Sequence, residues 1–157
     1  MKTLIIYDSM YGNTEKIARA MGDAVPENVK VIHAGEASPS ELESIDLLIV
    51  GSPTQGFKAT QPVKTFIERI HESTLKGMKV AAFDTRMPEA DVGKGLRFIM
   101  RTGGYAAPRI AKAFKKKGGN LVVPPEGFFV KDKEGPLKEG ELERAASWAK
   151  RVWNAFS

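Results

Sequence analysis

The chain has 157 residues, 42% of them hydrophobic, which suits one domain over residues 1–157 with an ordinary core that needs no disulfide or structural metal. It has no cysteine, so disulfides, thiol catalysis and Cys-ligated zinc or iron–sulfur sites are excluded; His33 and His71 have no second ligand at helical spacing, and no metal site is expected. Charge is uneven: residues 1–78 carry 8 basic and 10 acidic side chains, residues 79–157 carry 16 and 9, for a net charge of +5.

In chain order, Lys2–Asp8 is an apolar run rich in β-branched residues, fit for a strand buried on both faces. Thr14–Ala24 follows as a helix with Ile17, Ala18, Met21 and Val25 on one face. Val29–His33 is a second strand. Ser38-Pro39-Ser40-Glu41 has the form of a capping box with proline at the first helical position, predicting a short helix. Asp46–Ser52 is a central strand, and Pro62–Ile70 a helix that buries Val63, Phe66, Ile67 and Ile70. Lys79–Thr85 is a fourth strand. An amphipathic piece follows around Leu96, Ile99 and Met100. Tyr105–Lys117 reads as a helix ended by Gly118-Gly119. Asn120–Pro125 is a fifth strand that resumes through Phe128–Val130, and the last helix carries a stripe of Leu142, Ala145, Ala146, Ala149, Val152, Trp153 and Phe156.

Strict β–α alternation with strands of the buried type implies α/β architecture: a parallel sheet, doubly wound, with helices on both faces. Ligands of such sheets bind beyond the carboxyl ends of the strands, so the loops after strands one, three and four are the places to read. The first, Ser9-Met10-Tyr11-Gly12-Asn13-Thr14, has neither the glycine spacing of a dinucleotide turn nor the Gly-Lys-Ser/Thr of a nucleotide P-loop. It offers backbone N–H groups at a helix N-terminus, two hydroxyls and an amide. That set suits a phosphate monoester held without a lysine. The plain alternative is a helix capped by Asn13.

The first loop resembles the flavodoxin family, whose phosphate loop reads Ser/Thr-x-Thr-Gly-x-Thr and holds the phosphate of FMN. Ser9, Gly12, Asn13 and Thr14 fit; Tyr11 departs, placing an aromatic where the family has a hydroxyl. The second loop, Gly51 to Pro62, has the Gly-Ser-Pro-Thr opening common in flavodoxin-like proteins. The resemblance implies that Pro53, Thr54, Gln55, Gly56 and Phe57 run past the flavin ring, with a peptide at Gly56 that turns over on reduction. It likewise implies that Asp84, Thr85 and Arg86 meet the pyrimidine edge, with Tyr105 in place of a family tyrosine. The fold it implies is a flavodoxin-like doubly wound five-stranded parallel sheet of strand order 2-1-3-4-5. The function it implies is an FMN-binding electron-transfer protein; the flavin carries the redox chemistry and no catalytic side chain is named.

Two other readings stand beside it. One is an FMN-dependent reductase of small molecules such as quinones. The other is a flavin-free module that binds an anion or nucleic acid through its basic half. Between Asp91 and Glu126 no acidic residue occurs, but Lys94, Arg97, Arg101, Arg109, Lys112, Lys115, Lys116 and Lys117 do. No nucleic-acid motif accompanies them, and a solvated helix face explains them as well. Such a charge suits a redox partner protein or a small acceptor that is anionic. No signal pattern or membrane-length apolar run appears, so a cytoplasmic protein is expected.

Overall fold

The computed structural model describes residues 2–26, 28–88, 94 and 104–156. Its strands are β1 (Thr3–Tyr7), β2 (Val29–His33), β3 (Leu47–Pro53), β4 (Lys79–Arg86), β5 (Asn120–Leu121) and β6 (Glu126–Phe129). Its helices are α1 (Asn13–Ala24), α2 (Gln61–Glu68), α3 (Glu72–Leu75), α4 (Ala106–Lys116) and α5 (Glu141–Phe156). All pairings within the sheet are parallel, in the order β2-β1-β3-β4-β5, as expected.

The fifth strand position is split. Val80 pairs with Leu121 and Phe83 with Glu126, so five steps of the edge chain cover three of β4. Pro124 and Pro125 lie in the gap. Proline has no N–H to give the ladder, so the chain leaves β4 there and rejoins it as β6.

The interior strands are buried along nearly their whole length, which is why they read as continuous apolar runs. Alternate residues feed two cores. Leu4, Ile6, Leu48, Val50 and Ala82 pack under α2 and α4, through Val63, Phe66, Ile110 and Phe114. Ile5, Ile49, Ala81 and Phe83 pack under α1 and α5, through Ile17, Met21, Trp148 and Val152.

Two local expectations change. Ser38–Glu41 makes only a 3-10 turn, Pro39–Leu42, without the side-chain cap. Its would-be partners bond elsewhere: Ser38 Oγ to Ser40 Oγ at 2.6 Å, and Glu41 Oε2 to Lys30 Nζ at 3.1 Å. On α5 the buried stripe is Ala145, Trp148, Ala149 and Val152, while Leu142 is exposed. Trp148 sits three residues after Ala145 and four before Val152, so helical geometry puts it on the stripe. The Phe156 side chain and the piece around Leu96, Ile99 and Met100 lie outside the described residues.

The basic stretch also divides. Arg109, Lys112, Lys115 and Lys116 are exposed on the outer face of α4, and Lys94 is exposed. Lys117 instead caps the end of α2, donating to the carbonyls of Ile67 (2.7 Å), Glu68 (3.2 Å) and Ile70 (2.6 Å). It supplies the positive charge that the C-terminus of a helix favours. Arg97 and Arg101 lie outside the described residues.

Candidate cofactor site

Beyond the carboxyl ends of β1, β3 and β4 lies a cavity of about 470 Å³, within the ~300–1,000 Å³ of small-molecule sites. Ser9, Met10, Tyr11, Asn13 and Thr14 line it from the first loop. Pro53, Thr54, Gln55 and Gly56 line it from the second, and Thr85 and Arg86 from the third. Gly12, Phe57, Asp84 and Tyr105 do not line it.

The first loop turns through Gly12, which holds φ at 90° in the left-handed region where glycine carries no Cβ penalty. Ser9 Oγ accepts the Gly12 N–H at 3.0 Å and so shapes the turn from within. Asn13 does not cap α1. It is the first helical residue, and its Nδ2 donates to the Glu134 carbonyl at 3.2 Å. Among the described residues the N–H groups of Asn13, Thr14 and Glu15 meet no protein acceptor. These are the donors that a helix N-terminus offers to an anion. The Thr14 hydroxyl, buried, lies 2.8 Å from the Thr85 hydroxyl and ties the first loop to the third.

The second loop is clamped at its base. Ser52, fully buried, donates its hydroxyl to the Pro53 carbonyl (2.8 Å) and accepts the Thr60 N–H (3.0 Å). At its tip, Gln55 and Lys58 exchange backbone hydrogen bonds of 2.9 and 3.1 Å. Gly56 (φ 54°) and Phe57 (φ 67°) both hold positive φ, the signature of a type I′ turn. Phenylalanine pays a steric cost there that glycine does not. Thr54 joins this loop to its neighbours, donating its N–H to the Thr85 carbonyl and accepting the Ala106 N–H on Oγ1, both at 3.0 Å.

The third loop rests on a buried ion pair. Asp84 is wholly buried, and both its oxygens accept from Arg86, at 2.6 Å from Nε and 2.7 Å from a terminal guanidinium nitrogen. Oδ2 also accepts the Ala107 N–H at 2.8 Å. Burial pushes the Asp84 carboxyl above its ordinary value, against the pull of the guanidinium and the amide. The Arg86 guanidinium lies 3.5 Å over the Tyr105 ring and crosses Gly127, where a Cβ would overlap it. Asp84 and Tyr105 therefore reach the cavity only through Arg86, whose charge Asp84 balances.

A fourth segment completes the wall. Val130 and Lys133 line the cavity from the segment after β6, and Met87 extends the third loop along it; sequence reasoning missed all three. Nothing in the spacing of Lys131–Gly140 relates it to a loop some 120 residues earlier.

The fold and cavity define a class: doubly wound α/β proteins with free N–H donors at a helix N-terminus and a roomy cleft at the sheet's carboxyl edge. The family model of the flavodoxin domain matches residues 4–131. The chain belongs to that family. It is 29% identical over 112 residues to Putative diflavin flavoprotein A 4 of Synechocystis sp., covering 67% of this chain and 19% of that protein. It is 33% identical over 86 residues to Probable flavodoxin 1 of Bacillus subtilis, covering 52% and 54%. These matches span about half or less of the curated relatives' lengths. In fold it is similar to a flavodoxin from the domain Archaea, with a TM-score of 0.78 at 21% identity over 99% of each chain.

Proposed function

We propose that the chain binds FMN in this cavity and serves as an electron-transfer protein. The observation supporting it is the convergence of three loops on one cavity, with free N–H donors and hydroxyls at the start of α1 and a tight, strained turn opposite. Bound FMN supplies the redox chemistry; the side chains hold and tune it. Ser9, Asn13, Thr14 and the N–H groups around Gly12 receive the phosphate. Pro53 to Gly56, Thr85 and Arg86 flank the remainder. Phe57, Asp84 and Tyr105 act indirectly, by setting the turn and the position of Arg86. The reading includes a single domain over residues 1–157 in the cytoplasm. A redox partner protein is its acceptor, and the net charge of +5 favours an acidic docking face. Among the described residues no helix is long and apolar enough to cross a membrane.

Titration of apo-protein tests the reading. FMN should bind at least tenfold more tightly than riboflavin, since hydrogen bonds to a charged group contribute roughly 1.5–3 kcal/mol each. Equal affinities would remove the phosphate from the first loop. Thr14→Val should cost FMN about 1–3 kcal/mol and riboflavin much less. Thr85→Val is the control for the hydroxyl pair: a loss shared equally by both ligands would make that pair a purely structural tie.

The turn at Gly56 carries a second expectation. Flipping the Gly56–Phe57 peptide converts a type I′ turn to type II′. Gly56 keeps positive φ, while Phe57 moves to negative φ and sheds its strain. An alanine at 56 tolerates the first form poorly and the second worse, because it would have to enter a region essentially reserved for glycine. Gly56→Ala should therefore lower the first one-electron potential of the FMN-loaded protein, read by potentiometry. An unchanged potential would take the flip out of the account.

A further inference from the structure

The first loop has no lysine, yet the cavity has one. Lys133 reaches it from the segment after β6, a strand-like return closed by the Val130–Leu137 bridge and by Lys131 N–H to the Pro136 carbonyl at 2.8 Å. The tip of that return is fixed against the start of α1. Asn13 Nδ2 donates to the Glu134 carbonyl at 3.2 Å. Gly135 (φ 101°) packs against the same amide so closely that a Cβ would stand 2.6 Å from Nδ2 and 2.8 Å from Oδ1. A Cβ there would push the Asn13 amide aside, and φ of 101° already favours glycine. Backbone bonds from Gly135 N–H to the Asp132 carbonyl (2.9 Å) and from Lys133 N–H to Asp132 Oδ1 (2.7 Å) hold the tip in shape. Among the described residues the Lys133 ammonium has no carboxylate within ion-pair distance.

We infer that Lys133 is the cation that faces the phosphate of FMN, delivered in space rather than in sequence, and that it adds to the first loop's preference for a phosphorylated flavin. The inference rests on the FMN reading above. An anion at the start of α1 meets N–H dipoles there but no full positive charge in its own loop. An exposed ammonium on a flexible stem supplies that charge at little desolvation cost. The Asn13–Glu134 bond couples the two: the residue that opens α1 also anchors the segment carrying the lysine. Because Lys133 is exposed, its contribution is screened by salt.

The experiment is titration of apo-protein with FMN and with riboflavin, for wild type, Lys133→Gln and Lys133→Arg, at 20 mM and 500 mM salt. Lys133→Gln should weaken FMN about three- to tenfold at low salt, the scale of an exposed pair doubled for a dianion. It should leave riboflavin unchanged and flatten the salt dependence of FMN binding. Lys133→Arg should keep the wild-type behaviour. The inference is overturned if wild type prefers FMN but Lys133→Gln matches it at both salt concentrations, and also if the glutamine variant weakens riboflavin as much as FMN. Failure of the FMN reading itself looks different: wild type would then show no preference for FMN over riboflavin.

Discussion

Asp84→Ala should lower the unfolding free energy by about 3–5 kcal/mol, because it leaves the Arg86 guanidinium buried without its partner. The Arg86 side chain is only 16% exposed, so water replaces the carboxylate only in part. The substitution also strips the Ala107 N–H, near the start of α4, of its acceptor. Chemical denaturation of apo-protein measures it, and a loss below 1 kcal/mol would mean that Arg86 finds another partner. The pH dependence has a defined sign. Burial raises the folded carboxyl above its unfolded value, so the folded state binds the proton more readily. The contribution of Asp84 is therefore largest below the unfolded carboxyl value and declines as pH rises through it toward the folded one. The gap between wild type and Asp84→Ala should narrow over that range. A gap that widens would show that the guanidinium outweighs burial.

Gly51→Ala should cost about 3 kcal/mol, the upper end for overpacking a core. Gly51 pairs with Phe83 across β3 and β4, and a Cβ at Gly51 would overlap the Phe83 ring. The ring has nowhere to go: Phe128 lies at 6.1 Å and Trp148 at 6.2 Å between centroids, both edge-on. The Gly51 carbonyl also accepts the Asp8 N–H at 3.2 Å, so a displaced β3 disturbs the entry to the first loop. Combining Gly51→Ala with Phe83→Leu should recover more than the sum of the single effects allows, since the two residues share one space. Strict additivity in the double-mutant cycle would contradict the clash.

The sequence alone settled the elements whose causes are local. Val29–His33 forms a strand with those same ends, and the helix now seen as Asn13–Ala24 was legible to within a residue, because apolar period and flanking turn residues lie within about ten positions of one another. The loops after β1, β3 and β4 were the right ones to read, since parallel topology sends every strand's carboxyl end to one edge of the sheet. Capping at Ser38 was misread because Ser40 and the more distant Lys30 took Ser38 and Glu41 as partners instead. Only the tertiary structure decided which groups meet across long separations. Thr14 finds Thr85 at 71 residues, Ala106 finds Thr54 at 52, and Asn13 finds Glu134 at 121. It withdrew Asp84 and Tyr105 behind Arg86 and brought Lys133 to a loop that has no lysine of its own. Such pairings leave no periodic trace in the chain: they depend on where the carboxyl ends of the strands and a return loop come to rest, and packing, not local propensity, fixes that.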